Sequence, residues 1–334
     1  MLKFAILGCG RIAYKHCDVL GEGKIKNAKL VAVCDLKQER AEKFGKQYGV
    51  PFFTDLRTMM QNMGSQIDVV NILTPSGNHA KHTLEVASYK KHVVVEKPMA
   101  LTLEDADSMI STCEENGGRL FVVKQNRYNF PVQKLREAIT SNRFGKLVLG
   151  TVRVRWCRQQ DYYNQDSWRG TWALDGGVFS NQASHHIDLL EWMMGDVHSV
   201  YAKSTTALSK IETEDTGVVI LKFKNEALGV IEATTATRPK DIEGSLSILG
   251  EKGTVEIGGF AVNEIRHWEF VEKTQDDHEV KDKFLSNPPN VYGFGHLAYL
   301  EGVVESILNN KPALVEGRNG KKSLELITAI YESI

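Results

Sequence analysis

The run Val93-Val94-Val95-Glu96-Lys97-Pro98 sets a lysine at the end of a short, β-branched, apolar segment. Such a segment reads as a strand covered on both faces, and in open α/β sheets the carboxyl ends of those strands border the ligand crevice. Lys97 is therefore aimed at a crevice. Pro98 lacks an N–H and biases its predecessor toward extended backbone, which stiffens that strand end. A second chemical turn is Gly8-Cys9-Gly10-Arg11-Ile12-Ala13, which follows the apolar run Phe4 to Leu7 and opens a helical stretch. That context is the dinucleotide fingerprint: Gly8 permits the tight turn and Gly10 lets a pyrophosphate approach the backbone at the helix N-terminus. Ala13 can replace the third glycine, because only close helix-to-strand packing is required there. Asp35 ends the run Leu30 to Cys34, where its carboxylate can accept the adenine ribose hydroxyls and would repel a 2′-phosphate. Leu36 offers no compensating arginine, so NAD is expected over NADP. Methyltransferases also combine a glycine loop with an acid after the second strand, but they usually carry an acid just before the first glycine, where this chain has Leu7.

A third constellation is Asp175-Gly176-Gly177 through Asn181, His185, His186 and Asp188, running into the apolar stretch Leu189 to Met194. If this is one helix, Asn181, His185 and Asp188 are spaced four and then three apart and share a face. That spacing favours His185 over His186 as the functional imidazole. Adjacent helical residues diverge by about 100 degrees and cannot easily chelate one ion, so no metal is expected. Arg153 and Arg155 alternate onto one face of a strand, and Arg169 sits between Trp168 and Trp172. Guanidinium groups bind carboxylate and diphosphate, and aromatic rings can cover a uracil or a sugar face. The competing reading of the strand arginines is a solvated sheet face or a subunit interface. Gln125 and Asn126 follow the strand Leu120 to Val123 and can order a nicotinamide or a sugar; Tyr163 and Asn181 are available for sugar hydroxyls.

The elements that must position these groups change character along the chain. The runs Phe4 to Leu7, Leu30 to Cys34, Asp68 to Leu73, His92 to Val95 and Leu120 to Val123 alternate with helical stretches such as Leu103 to Glu115, the pattern of βαβ units and a parallel sheet. After about Phe144, Lys146 to Trp156, Val218 to Phe223, Leu228 to Thr235, Ser245 to Leu249 and Thr254 to Ile257 read as strands without regular intervening helices, hence an antiparallel sheet. Two helices close the chain, Phe294 to Leu308 after the Pro288-Pro289 breaker and Lys321 to Ser333. The expected architecture is an α/β Rossmann domain over 1–122 followed by an α+β domain over 123–334 with a large open sheet; the last helices are allowed to pack back on the first domain.

A net charge of -1 gives no basic field to gather nucleic acid or an anionic membrane. The five cysteines form no CxxC pair, and no apolar run is long enough to span a bilayer, so a cytoplasmic protein with no nucleic-acid or membrane partner is expected.

Taken together, the glycine turn, Glu96-Lys97-Pro98, the Gly-Gly-to-His-to-Asp stretch, Thr74-Pro75-Ser76-Gly77-Asn78-His79 and the run from Pro312-Ala313-Leu314-Val315-Glu316-Gly317 to Ser333 resemble the glucose-fructose oxidoreductase / inositol dehydrogenase (Gfo/Idh/MocA) family. The likeness covers nearly the whole chain. It implies an NAD-dependent oxidoreductase of sugar hydroxyls whose open sheet packs against a partner subunit, in dimers or tetramers. It further implies Lys97 and His185 as the proton-handling groups, with Gly8, Gly10, Arg11, Ile12, Asp35, Thr74, Asn78, His79, Glu96, Lys97 and Gln125 at the cofactor. Val152 to Arg158, Trp168 to Trp172 and Asn181 to His186 resemble the UDP-N-acetylglucosaminuronic acid 3-dehydrogenases of bacterial surface-polysaccharide sugar synthesis. That likeness implies a UDP-sugar substrate at Lys97, Arg155, Tyr163, Trp168, Arg169, Asn181 and His185. Family members typically place an aspartate where this chain has Asn181, which takes a carboxylate out of the expected polyol pocket. Alternatives are an inositol-type or aldose-type NAD(P) dehydrogenase of the same family, and a non-catalytic NAD-binding sensor.

Overall fold

A computed structural model describes residues 1–275, 277, 280, 293 and 295–334; Pro288-Pro289 and the first residue of the helix expected from Phe294 lie outside them. The chain forms two compact units, Met1–Lys124 with His296–Leu324, and Gln125–Gly295 with Glu325–Ile334.

The first unit is a six-stranded, wholly parallel sheet of β1 (Leu2–Leu7), β2 (Ala28–Cys34), β3 (Phe52–Phe53), β4 (Val69–Ile72), β5 (His92–Val95) and β6 (Leu120–Val122). Its order, β3-β2-β1-β4-β5-β6, reverses direction between β1 and β4, which is where a doubly wound sheet opens its crevice. The strands are apolar because helices cover both faces: α1 (Ala13–Gly21), α2 (Gln38–Tyr48), α3 (Leu56–Met63), α4 (His79–Ser88) and α5 (Leu103–Glu115). The bounds of α5 are written in its caps. Thr102 accepts the Asp105 N–H at 3.1 Å, Glu104 and Asp105 sit in the positive first turn, and Gly117 leaves the helix at φ +71°. The core of this unit joins Val70, Ile72, Val93, Val95 and Val122 to Met59, Met109 and Ile110. The later segment, with α9 (His296–Leu308), belongs to the same unit: Glu316 bridges to Phe121, and Arg119 reaches the Ser306 carbonyl at 2.9 Å and the Glu316 carboxylate.

The second unit is a seven-stranded sheet of β7 (Leu147–Arg155), β8 (Val197–Thr205), β9 (Thr216–Phe223), β10 (Leu228–Thr234), β11 (Glu243–Gly250), β12 (Gly253–Gly258) and β13 (Glu264–Phe270), in the order β13-β12-β11-β7-β10-β9-β8. All neighbours are antiparallel except β7 and β10, which run parallel. One face of the sheet, with Val152, Val154, Val219, Leu221 and Ile231, is buried under α8 (Ser184–Met194) and α6 (Phe130–Thr140). A short helix α7 (Gln160–Asn164) and the closing α10 (Gly317–Ser333) complete the chain; the second half of α10 adds Leu326, Ile327 and Ile330 to this core. Among the described residues no helix is long and apolar enough to cross a membrane. All five cysteines are free thiols.

His186 of α8 is enclosed against the edge of Trp156, and a Cβ on Gly244 would stand 2.7 Å from its Nε2. Burial pushes its imidazole from the ordinary 6.5 down to about 4. The unfolded chain therefore takes up a proton that the folded chain refuses: stability is complete above the unfolded value and is lost as pH falls from there through the folded one. Chemical denaturation at steps from neutrality to about pH 4 should show this loss, on the order of 3 kcal/mol from this group, and His186→Gln should flatten the dependence. An equally steep curve in the variant would remove His186 as its source.

Candidate functional site

Parallel pairing sets Leu7, Ile72 and Val95 level with one another, so the residues that follow them leave the sheet from one edge. The first of these exits is the glycine turn. Gly8 holds φ +103°, and a Cβ there would stand 2.7 Å from the Leu73 carbonyl, so both the turn and the close approach of β4 require glycine. Nothing lies within 4 Å of where a Cβ on Gly10 would stand, which leaves open space at the start of α1. Ile12 caps α1 without a side-chain hydrogen bond, and its first turn carries no acid, so the helix N-terminus keeps its positive character for an anion. Arg11 is exposed, and Ala13 is fully buried, as close helix-to-strand packing demands.

Asp35 braces this turn. Its Oδ2 accepts the Cys9 N–H and its Oδ1 the Lys37 N–H, both at 2.8 Å. Each oxygen keeps a second lone pair for a ribose hydroxyl, and neighbouring Leu36, 89% exposed, brings no cation. The donor set fits a dinucleotide: an open helix N-terminus for the pyrophosphate and an oriented carboxylate that disfavours a 2′-phosphate.

The second exit carries Thr74, Asn78 and His79. Thr74 Oγ1 meets His82 Nδ1 at 3.0 Å, and Asn78 closes the short turn Ser76–Asn78 before α4. The ring of His79 is buried, with Nδ1 2.8 Å from the Pro98 carbonyl and Nε2 2.8 Å from the Thr74 carbonyl. Set between these two carbonyls, His79, expected at the cofactor, ties the second exit to the third. The third exit is Glu96-Lys97. Lys97 is partly exposed at the strand end. The Glu96 carboxylate, expected at the cofactor, turns inward, with Oε1 3.0 Å from His16 Nε2 and Oε2 accepting the Lys97 N–H at 3.1 Å. Burial pushes the Glu96 carboxyl up, but the His16 and His296 imidazoles outweigh it and hold it well below the usual carboxylate range.

In the second unit the helix expected to carry Asn181, His185 and Asp188 together is two elements. Val178–Gln182 is a single π-helical turn, and α8 begins only at Ser184. Asn181 therefore leaves the shared face and donates to Asp175. His185 and Asp188 do share a face, and both meet the turn Gln125–Tyr128: His185 Nε2 lies 3.0 Å from Gln125 Nε2, and Asp188 takes a bidentate bond from Arg127 at 2.8 and 2.9 Å. That ion pair is nearly enclosed, and Arg127 stacks 4.8 Å over Trp192. Loss of one partner would leave an uncompensated buried charge, so the pair fixes the rotation of α8 and the placing of His185. Arg127 escaped the sequence reading. An arginine two residues past Gln125 was the available signal, but its acid lies 61 positions away.

The arginines divide between two environments. Arg155 is held by Glu232 at 2.6 and 2.7 Å and by Glu243 at 3.1 Å, and Arg153 by Glu243 and Glu256, on the open face of the sheet. The strand alternation is real, and it sets Arg155, expected at the substrate, in this charge lattice. Arg169 is also paired, its Nε 3.5 Å from Asp166, but it sits among rings: its guanidinium lies 4.5 Å from the Tyr162 ring and 4.6 Å from Trp168, and it donates to the Tyr162 hydroxyl at 2.6 Å. Gln182 reaches the same hydroxyl at 3.1 Å. The hydroxyl of Tyr163, expected at a sugar, meets Thr235 at 3.0 Å.

Comparison with known proteins follows the division of the chain. Residues 2–124 match the NAD-binding Rossmann fold of an oxidoreductase family, and residues 136–334 match the C-terminal alpha/beta domain of the same family. The WlbA dehydrogenase of Bordetella pertussis, solved with NADH and UDP-GlcNAcA, is 42% identical with a TM-score of 0.91, over 99% of this chain and 95% of that one. The myo-inositol 2-dehydrogenase of Thermotoga maritima is 26% identical over 100% of this chain and 96% of its own, and the glucose-6-phosphate 3-dehydrogenase of Bacillus subtilis is 25% identical over 99% and 96%.

Because Asp35 orients the glycine turn and keeps lone pairs where the adenine ribose is expected, Asp35→Ala should weaken NAD binding by about ten- to a hundredfold and erase the preference over NADP. Calorimetric titration with the two dinucleotides checks this; unchanged NAD affinity would contradict it.

Proposed function

The chain belongs to the Gfo/Idh/MocA oxidoreductase family and is an NAD-dependent sugar dehydrogenase, and within that class we propose that it oxidises the 3-hydroxyl of a UDP-linked N-acetylglucosaminuronic acid to the 3-keto sugar. The likeness that carries the proposal is to a dehydrogenase solved with NADH and UDP-GlcNAcA, 42% identical along almost the whole chain. Arg169 supports it. A guanidinium held between Tyr162 and Trp168 suits a diphosphate or carboxylate beside an aromatic base, which a free polyol would leave unused.

Oxidation of a secondary alcohol breaks one C–H and one O–H bond and makes a carbonyl. Bound NAD supplies the acceptor for the hydride. Lys97, acting as the neutral amine, takes the hydroxyl proton through Nζ at the stiff end of β5 and becomes the ammonium. His185, braced by Gln125 and by the Arg127–Asp188 pair behind it, is the proton-handling group of the second unit. Arg169, Trp168 and Asn181 are proposed on the substrate side. A 3-keto sugar nucleotide of this kind is proposed as a precursor of sugars for bacterial surface polysaccharide. The second reading, a free polyol as substrate, has the support of the 26% identical inositol dehydrogenase.

Incubating the purified protein with NAD and UDP-N-acetylglucosaminuronic acid should raise the near-ultraviolet absorbance of NADH and give a product lighter by two hydrogens. Activity on inositols or free aldoses without activity on the sugar nucleotide would establish the second reading, and NAD binding with neither activity would establish a sensor. Lys97→Met should bind NAD nearly as well and turn over at least about a hundredfold more slowly; near-native turnover would sink its assignment.

The open face of the seven-stranded sheet also exposes Val218, Ile220, Leu228 and Val230, and we propose that it closes a homo-oligomer, dimer or tetramer. Light scattering should give a multiple of 37.4 kDa for the native chain and a smaller particle for Ile220→Glu. A native monomer would refute the interface.

A further inference from the structure

Behind Lys97 the first unit buries a row of polar side chains that hydride transfer itself does not require. Asn71 on β4 meets His16 on α1, Nδ2 to Nδ1, at 3.0 Å; His16 Nε2 meets Glu96 Oε1 at 3.0 Å; Glu96 Oε2 accepts the main-chain N–H of Lys97 at 3.1 Å. Asn71 and His16 are wholly enclosed and Glu96 is 7% exposed. His296 stands edge-on to His16, its Nε2 3.8 Å from the same carboxylate oxygen. Two imidazoles and a carboxylate within 4.8 Å are also a donor set for a transition metal. The contacts favour a hydrogen-bonded row instead. An amide N–H directed at Nδ1 leaves the ring proton on Nε2, which then donates to Glu96 rather than offering a lone pair to an ion.

The row joins two places the chemistry needs. His16 lies on α1, the helix that the glycine turn leads into, and Glu96 holds the peptide of the residue read as the base. We propose that Glu96 and His16 are positioning residues, a buried clamp that fixes the peptide of Lys97 to α1 and so sets the lysine amine at the strand end. A carboxylate suits this role because its two oxygens accept from His16 and from the Lys97 peptide at once, and an enclosed charged acceptor makes short, stiff hydrogen bonds. The proposal rests on the reading of Lys97 as the proton acceptor.

The test is a double-mutant cycle on kcat with UDP-N-acetylglucosaminuronic acid and NAD, alongside KM for the sugar and Kd for NAD. Glu96→Ala should lower kcat by roughly ten- to a hundredfold, the scale of a misplaced reacting group, with KM and Kd changed by less than about threefold. Glu96→Gln keeps an acceptor for the Lys97 N–H and should recover part of the loss, which also serves if the alanine variant folds poorly. In the Lys97→Met background, Glu96→Ala should cost nothing further. Equal losses in both backgrounds, a native kcat in Glu96→Ala, or stoichiometric zinc or another transition ion in the purified protein would each overturn the clamp. Native turnover in Lys97→Met alone would instead overturn the base on which it acts.

Discussion

Four backbone hydrogen bonds at the carboxyl edge of the parallel sheet govern the first unit. Gly8 donates to Cys34, Leu73 to Leu7, Glu96 to Ile72 and Val123 to Val95, at 2.8 to 3.0 Å. In a parallel ladder, strand ends can be level only if such bonds continue to the last residue. Here they do, so the glycine turn, the Thr74 loop and Lys97 leave the sheet side by side. Side chains then stiffen what the ladder has aligned: Asp35 grips the glycine turn, His79 spans the Thr74 and Pro98 carbonyls, and Glu96 holds the Lys97 peptide.

The second unit reaches the same end by other means. Its sheet offers a broad apolar face, and α8 lies on it with nearly every residue buried. Such a helix could rotate or slide among similar apolar contacts, and packing alone would hold its register poorly. The Arg127–Asp188 pair supplies direction, because a buried bidentate bond tolerates little rotation. His185, three residues before Asp188 on the same face, inherits that precision through Gln125. The opposite face of the sheet carries Arg153, Arg155 and Arg266 among Glu232, Glu243 and Glu256. Those charges are satisfied by one another, which leaves the neighbouring Val218, Ile220 and Val230 as the apolar part of that surface.

Much of this was legible because it is local. The glycine turn, the acid at the end of β2 and the lysine at the end of β5 are each fixed by a strand of apolar residues and the two or three residues after it. The bounds of α5 follow from Thr102 and the Asn116-Gly117 exit. Part of what escaped lacked a local signal. β3 is two residues long, and β8, Val197–Thr205, is an edge strand with a single buried position, so neither shows the alternation that marks a half-buried strand. The π-helical turn at Val178–Gln182 breaks a spacing that a continuous helix would have kept.

The sequence by itself determined which backbone conformations are available and which chemistry is present: a turn only glycine can make, an amine at one strand end, a carboxylate at another, an imidazole at the start of an apolar helix. Tertiary structure alone decided which polar groups are consumed by one another. Arg155 is taken by Glu232, 77 positions on, and Glu96 by His16, 80 positions back. The physical reason is that burial makes an unpaired charge costly wherever it lies along the chain, so partners are chosen by proximity in space, which spacing in sequence does not encode.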